Sequence, residues 1–311
     1  MPSIEPRPGV RDCAMKTPLK KRLWASRHFY VFIAPFFALF AVFGLYPLLF
    51  SFYLGFLQWD GLSPKQWVGL SNFENLLHDE ILFASLRNTV TIGLMYIPPM
   101  FIGAFVFALL LDTAWLRFRG LFRAVFFLPV VTPMVVVAIV FGLLYGQEAG
   151  LLNYVVEKLG WERIPWVVSE SWSKPSVAGL LVWRWTGYNM VLMLAGLQGI
   201  SPGYYEAARI DGANAWQRLW YITLPLMRPT FVFCTIMSLI GTVYMFDEVF
   251  VLTQGGPGTS STNFGLYLFN TSFTDFKFGY ASAMAYVVAL FVFLASLLVL
   301  RLRKREEGTD Q

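Results

Sequence analysis

Uncharged apolar stretches alternate with short charged segments along most of the chain. Five stretches lack Asp, Glu, Lys and Arg and are long enough for a helix to cross about 30 Å of hydrocarbon, which takes ~20 residues. A sixth stretch, residues 175–205, is interrupted only by Arg184. Because backbone amides in lipid must bond within their own segment, each stretch predicts a transmembrane helix. The six predicted spans are approximately residues 30–55, 88–111, 125–146, 177–198, 229–250 and 279–300.

The pattern therefore predicts an all-α polytopic membrane protein, and the composition agrees with it. Hydrophobic residues make up 57% and charged residues 14% of the 311 residues, against roughly 45–50% and ~25% in an average soluble domain. So little polar surface excludes a soluble enzyme and a disordered chain. The 18% of aromatic residues suits lipid contact and the aromatic belts of membrane interfaces.

Basic residues cluster on one side of the predicted spans. Of the 24 Lys and Arg residues, 17 lie in the leader, in the tail or in the loops after the second and fourth spans, and six lie in the other loops. The positive-inside rule then makes both termini cytoplasmic. The sequence divides into a basic leader of residues 1–28, a transmembrane domain of residues 29–303 and a tail of residues 304–311. The net charge of +5 thus reflects topology, and no nucleic-acid partner is expected.

Side chains that perform catalysis or bind metals are few and scattered. Cys13 and Cys234 lie in the leader and in an apolar stretch, which gives no basis for a disulfide or a metal site. His28 and His78 have no partner histidine at ligand spacing, so neither a metal site nor a Ser-His-Asp triad is predicted. The sequence also lacks the G-x-x-x-x-G-K-S/T loop that binds ATP phosphates. We therefore expect no enzyme activity and no cofactor in this chain.

The cytoplasmic stretch between the fourth and fifth spans, residues 201–225, is neither short nor polar. Ser201 can cap a helix that begins with a proline, and Gly212 can end that helix in a left-handed conformation. A second short helix is expected after this turn. Pro225 and Pro229 are then expected to break the backbone before the fifth span begins. The stretch thus predicts a rigid pair of helices at the inner membrane face.

The same stretch carries a sequence motif, made of Glu206-Ala207-Ala208, Gly212 and, after nine further residues, Ile222-Thr223-Leu224-Pro225. It matches the E-A-A, G, I-x-L-P loop of the membrane subunits of ATP-binding-cassette importers, a family that the chain resembles over residues 30–303. Further motifs resemble the carbohydrate branch, the permeases similar to the maltose and glycerol-3-phosphate transporter types. They are Asn72-Phe73, Arg87-Asn88-Thr89, Phe127-Leu128-Pro129 and Leu252-Thr253-Gln254-Gly255-Gly256-Pro257.

The resemblance implies a division of labour between subunits. This chain would form half of a translocation path together with a second homologous permease. Two cytoplasmic ATPase subunits would bind ATP and Mg, and an extracytoplasmic binding protein would deliver a mono-, di- or oligosaccharide. The implied location is the cytoplasmic (inner) membrane of a bacterium or archaeon. The residues implied to couple the loop to the ATPase are Glu206, Ala207, Ala208, Asp211, Gly212, Ile222, Leu224 and Pro225.

The fourth predicted span contains Arg184, the only charged residue well inside a span. It lies about seven residues, or ~10 Å at 1.5 Å per residue, from the outer end of the helix. One interpretation is that Arg184 snorkels to the interface. The other is a polar cavity in which a planar donor and stacking rings on one helix face bind a sugar. The candidates for that cavity are Arg184, Trp185, Tyr188 and Asn189.

The fifth predicted span presents a second candidate face, on which side chains recur at spacings of 4, 3 and 3 residues. These side chains are Ser238, Thr242, Met245 and Glu248. The resemblance to maltose-type permeases implies sugar contact for the first three. Ser238 and Thr242 can instead bond to carbonyls of their own helix. Asp247 and Glu248 are expected ~29–30 Å along the helix from Arg228, near the outer interface, where a solvated pair is the alternative to a binding site.

Two other transport functions remain open at this point. An importer of the same ATP-driven family could carry an amino acid or a phosphate ester instead of a sugar. A secondary transporter driven by an ion gradient would need buried acids as ion sites. The sequence places no acidic residue deep in a predicted span and shows no inverted repeat, which disfavours the ion-coupled mechanism.

Overall fold

The computed structural model describes residues 27–113 and 117–309. Most of the predicted basic leader, residues 1–26, lies outside the described residues. The chain forms two compact units, the first ending at Tyr53 and the second beginning at Leu54. The first unit is a helix of membrane length that runs from α1 (Arg27–Phe40) through a π-helical turn (Ala41–Leu45) into α2 (Tyr46–Leu54).

The second unit contains all the remaining elements. A small antiparallel hairpin of β1 (Leu57–Gln58) and β2 (Gln66–Trp67) pairs Leu57 with Trp67. The helices that follow are α3 (Ser71–Leu76), α4 (Glu80–Asp112), α5 (Arg119–Val131), α6 (Met134–Leu144), α7 (Leu151–Lys158), α8 (Ser173–Gln198), α9 (Pro202–Ile210), α10 (Ala215–Arg218), α11 (Leu224–Tyr244), α12 (Asp247–Leu252), α13 (Phe264–Phe269) and α14 (Phe278–Thr309). Two π-helical turns, Leu219–Thr223 and Asn270–Thr274, lie between α10 and α11 and after α13.

The third predicted span is bent and is not the single straight helix expected over residues 125–146. Helices α5 and α6 meet at an angle of 95°. Thr132 and Pro133 between them are extended, with ψ of 133° and 130°. The reason is local, because Pro133 has no N–H to donate and disfavours helical geometry at the residue before it.

The expected break before the fifth span is also wrong. Residues Ala215–Tyr244 form one continuous helix that passes through Pro225 and Pro229. The π-helical turn Leu219–Thr223 immediately precedes Pro225, and the Leu224 N–H donates to the carbonyl of Leu219 across it. The wider turn relieves the clash that a proline ring makes with the carbonyl four residues earlier.

The fifth helix ends at Tyr244, six residues before its predicted end, so the placement of Asp247 and Glu248 on the same helix is wrong. Met245 is extended, and a new helix, α12, begins at Asp247. The released carbonyl of Met245 accepts a hydrogen bond from the side-chain amide of Asn263. A tertiary partner thus stabilises the break.

Within the described residues, four helices are long and apolar enough to cross a membrane, and the bent pair α5 and α6 makes five if it counts as one span. The fourth predicted span, α8, is not among them. Its polar residues are buried inside the protein; they include Ser173, Ser176, Thr186 and Asn189. A helix that faces protein needs less apolar surface than one that faces lipid, so the count of six spans stays a prediction.

Helices α4 and α8 form the centre of the second unit. Two apolar clusters lie along them, one including Met100 and Leu181 and the other including Ala108 and Met193. Between the clusters, the backbones of α8 and α5 touch at Gly187, where a Cβ atom would lie against the carbonyl of Phe126. This contact fixes α5 against the central pair.

Candidate functional site

A cavity of about 520 Å³ lies between α4, α6, α8, α11 and α12, and we call it the central cavity. Seven of the eight predicted substrate-path residues line it: Arg184, Trp185, Tyr188, Asn189, Ser238, Met245 and Glu248. Other lining residues were not predicted from the sequence, among them Tyr96, Met100, Met134, Met237, Tyr244 and Phe246. The volume of the central cavity is within the range of small-molecule sites.

Two aromatic rings and one buried amide give the central cavity its chemistry. The rings of Trp185 and Tyr188 meet edge to face with centroids 5.8 Å apart. The amide nitrogen of Asn189 donates to the Trp185 carbonyl at 3.1 Å. The amide oxygen of Asn189 is buried and has no hydrogen-bond partner among the described residues. Aromatic rings and polar side chains in one wall suit a ligand with apolar faces and hydroxyl groups.

Thr242 does not line the central cavity. Its hydroxyl donates to the Ser238 carbonyl at 2.7 Å and forms a 2.7 Å hydrogen bond with the Tyr96 hydroxyl. These contacts join α11 to α4 in the wall of the cavity. The bond to its own helix is the alternative that the sequence left open for this residue.

Arg184 lines the central cavity, and its terminal nitrogens point at the bend of the third span. One of them donates to the carbonyls of Pro129 at 3.3 Å and Thr132 at 3.0 Å, and the other to Val130 at 3.4 Å. Its guanidinium carbon lies 5.6 Å from the ring centroid of Trp185. The guanidinium thus binds the backbone of the third span, a role that neither interpretation of Arg184 from the sequence included.

Glu248 and Asp247 lie in the first turn of α12, and both line the central cavity. Glu248 is buried, whereas Asp247 is exposed. The early end of α11 produces this arrangement, because it turns the Glu248 carboxylate back against the protein.

Of the helix pair predicted for residues 201–225, the first helix is separate, and the second is the start of the long helix that continues into α11. Helix α9 begins at Pro202 as predicted, and Gly212 follows its end with φ of +79°. The N–H of Ala213 bonds back to the carbonyl of Ala208 at 2.8 Å, which completes a Schellman-type end. Helix α10 starts with a reciprocal capping box between Asn214 and Gln217. These caps make the loop rigid.

The coupling residues divide between an exposed face and the base of the loop. The exposed members are Glu206, Ala207, Asp211 and Gly212. Ala208, Ile222, Leu224 and Pro225 are half-buried, and the last two begin α11. A shallow groove of about 340 Å³ brings together Ala208, Asp211, Gly212 and Ile222. Large apolar side chains are exposed beside it, including Ile210, Trp216 and Tyr221. Such a patch is typical of a protein interface.

Three buried or half-buried polar residues hold the loops that are predicted to lie on the outer side of the membrane. Asn88 on α4 donates to the carbonyls of Thr259 and Thr262, both at 2.9 Å. Asn153 bonds to backbone groups of the loop around Ile164. Burial opposes ionisation of Asp79, but hydrogen bonds from the hydroxyls of Tyr267 at 2.6 Å and Tyr280 at 2.5 Å outweigh it. They hold the pKa of the Asp79 carboxyl below its usual 3.8.

The chain combines several helices of membrane length, an aromatic and polar cavity between helices, and a loop with an exposed apolar patch. These features define a subunit of a membrane transporter. The chain belongs to the family described as binding-protein-dependent transport system inner membrane component, whose profile matches residues 85–307. This confirms the resemblance derived from the loop motif. The family comprises transport components and not enzymes, and it places the chain in the inner membrane.

Curated relatives match most of the chain. It is 38% identical over 274 residues to the lactose transport system permease protein LacF of Rhizobium radiobacter, covering 86% of this chain and 91% of that one. It is 33% identical to the arabinooligosaccharides transport system permease protein AraP of Halalkalibacterium halodurans, covering 91% and 89%.

A solved structure confirms the fold. A chain in the crystal structure of a bacterial alginate ABC transporter, in complex with alginate pentasaccharide-bound periplasmic protein, superposes with a TM-score of 0.80. It is 21% identical, and the match covers 92% of this chain and 97% of that one.

Proposed function

We propose that the chain is the permease subunit of an ATP-driven, binding-protein-dependent sugar importer. The observation that carries the proposal is a cavity of about 520 Å³ in whose wall the rings of Trp185 and Tyr188 lie beside the polar side chains of Asn189 and Ser238. Ring faces cover the apolar side of a pyranose, and buried acceptors satisfy its hydroxyl donors. Relatives named as lactose and arabinooligosaccharide permeases support a mono-, di- or oligosaccharide over an amino acid or a phosphate ester.

The substrate path of the proposal is the wall of the central cavity, with Thr242 acting through Tyr96 and Ser238. Replacing Asn189 by Ala removes one buried hydrogen bond to sugar, worth about 1–3 kcal/mol, which raises the half-saturation concentration for uptake by roughly five- to 150-fold. Trp185→Ala should raise the half-saturation too, because it removes the ring platform.

Trp183→Ala is the matched control, since this tryptophan lies two residues away on the same helix, is exposed and does not line the cavity. Uptake of several sugars is measured at equal membrane levels. If uptake by all three variants fell only in proportion to protein abundance, with the half-saturation concentration unchanged, the cavity would be rejected as the sugar site.

Energy enters through the cytoplasmic loop in this proposal. Two partner ATPase subunits bind ATP and Mg, and a second homologous permease completes the path. Closure of the ATPase dimer moves α9, turns the cavity outward to receive sugar from the binding protein, and hydrolysis returns it inward. The exposed Glu206 and Gly212, with no described atom within 4 Å of a Cβ at Gly212, support close docking of a partner.

Gly212→Leu tests the loop and should abolish sugar-stimulated ATP hydrolysis while the protein stays in the membrane. Gly160→Leu is a matched control, because Gly160 also has a left-handed φ, +81°, and open space around it, but lies in an outer loop. Glu206→Lys should act like Gly212→Leu through charge reversal. Parental transport by both loop variants would show that the loop is not the coupling element.

The proposed orientation has both termini in the cytoplasm, and it can be tested by labelling. Cysteines introduced outside, at Lys65, Lys158 and Thr259, should react with an impermeant thiol reagent added to intact cells. Cysteines at Arg119 and Gln217 should react only after the membrane is opened. Labelling of Gln217→Cys in intact cells would reverse the orientation.

A further inference from the structure

The bend of the third span leaves backbone carbonyls without their helical partners. In a continuous helix the carbonyl of Pro129 would accept from residue 133, which is a proline and has no N–H. The carbonyl of Thr132 would accept from Val136, but the Val136 N–H donates to Pro133 instead. Unsatisfied carbonyls at membrane depth are costly, so irregular backbone there requires a donor from elsewhere in the protein.

Arg184 supplies those donors from α8. Its two terminal nitrogens reach Pro129, Val130 and Thr132 at 3.0–3.4 Å, as described above. A guanidinium presents several N–H groups in one rigid plane, which suits a fan of carbonyls at the end of a helix. Positive charge also suits the partial negative charge of a helix C-terminus.

The bend, in turn, positions part of the cavity wall. Met134, the first residue of α6, lines the central cavity, and α6 packs against α12 through Val137 and Val249 in one apolar cluster. One turn further along α8, Gly187 holds α5 in backbone contact. The carbonyls that Arg184 binds therefore lie between two packed contacts, that of α5 with α8 at Gly187 and that of α6 with α12.

We infer that Arg184 is a positioning residue, which holds the third span bent by taking the place of the missing helical hydrogen bonds and so fixes the Met134 wall of the central cavity. This role concerns the cavity of the proposed function, but it does not require a sugar to be present. Arg184 acts on the shape of the cavity through the third span, whereas the nearby rings act on the ligand.

The angle can be measured with spin labels on either side of the bend, at Leu121→Cys and Leu143→Cys, in the full-length chain purified with its associated subunits in lipid nanodiscs. Both side chains are mostly exposed. At 1.5 Å per residue, the labelled positions lie roughly 22 Å apart across the observed 95° bend and roughly 33 Å apart in a straight helix. The native cysteines are replaced by Cys13→Ser and Cys234→Ala.

Without sugar or ATP, the parent should give the short distance by double electron–electron resonance. Arg184→Gln should shift the distribution toward the long distance. Arg184→Gln combined with Pro133→Ala should centre near the long distance, because the alanine restores the N–H that lets the helix continue. Pro133→Ala alone should keep the short distance, since Arg184 still binds the carbonyls.

Arg184→Lys should give an intermediate distribution, because one ammonium cannot reach all three carbonyls with the guanidinium fork. It also serves as the deciding variant if Arg184→Gln fails to accumulate. Gln198→Ala, at an exposed residue at the far end of the same helix, should keep the parental distance. An unchanged short distance in Arg184→Lys and in the Arg184→Gln, Pro133→Ala double variant would overturn the inference and leave the sugar proposal standing.

Discussion

The contact between α5 and α8 at Gly187 gives a sharp prediction about packing. Gly187→Ala adds one methyl group where the backbones of the two helices already touch. The new Cβ would lie against the carbonyl oxygen of Phe126, 2.5 Å from its carbonyl carbon and 3.2 Å from the nitrogen of Phe127. Backbone atoms cannot rotate away as a side chain can, so the helices must separate.

The size of the effect follows from these distances. Ordinary van der Waals contact begins at 3.4 Å, and the Phe126 carbonyl oxygen would lie far inside that distance, so the helices must move apart by more than about 1 Å. A gap of ~1 Å already forfeits up to half of each dispersion contact along the interface, and overpacking of a core costs about 1–3 kcal/mol. The shift also pulls the Pro129 carbonyl away from Arg184, whose 3.3 Å hydrogen bond has little length to spare.

Thermal unfolding of the purified protein in nanodiscs is the assay. Gly187→Ala should lower the melting temperature and the transport rate together. Gly120→Ala is the matched control, because Gly120 lies on α5, the other helix of this contact, and no described atom comes within 4 Å of its Cβ position. A melting temperature for Gly187→Ala equal to that of Gly120→Ala would refute the close approach.

The anchors of the outer loops give three more predictions. Asp79→Asn should lower the melting temperature at neutral pH, and the difference in melting temperature between variant and parent should shrink below pH 3.8. The reason is that a carboxyl with a lowered folded pKa loses its stabilising effect as the pH falls through that pKa. A difference that stays constant across a pH series would contradict this. Asn153→Ala should speed amide hydrogen exchange of residues 145–166, since each buried backbone group left without a partner costs about 1–3 kcal/mol of stability. Unchanged exchange rates would show that Asn153 does not anchor this loop. Asn88→Leu removes two hydrogen bonds and should make residues 253–263 cleavable by protease added outside; resistance would show a different anchor.

The cytoplasmic loop could be predicted in detail because its signals are local. A proline at the first helical position and a glycine in left-handed geometry are set by the residues themselves. The start of α9 at Pro202 and its termination before Gly212 are confirmed. The continuation through Pro225 could not be predicted in this way, because a π-helical turn accommodates a proline that the sequence alone suggests is a break.

Residues in the cavity wall illustrate the opposite case. Tyr96 and Met100 lie inside an uncharged stretch, and nothing in that stretch distinguishes a cavity face from a lipid face. The end of α11 at Tyr244 depends on Asn263, 18 residues beyond the Met245 carbonyl that it binds. The bend at Pro133 had a local signal in the Thr-Pro pair, but the partner that satisfies it, Arg184, comes from another helix.

The central claim, ATP-driven sugar import, is tested most directly in proteoliposomes that contain the transporter complex with this chain. The substrate is the sugar that the external binding protein retains on purification. Uptake should require ATP on the cytoplasmic side and the binding protein on the other, and should not respond to a sodium or proton gradient. Uptake driven by either gradient in the absence of ATP would contradict the account and favour an ion-coupled transporter.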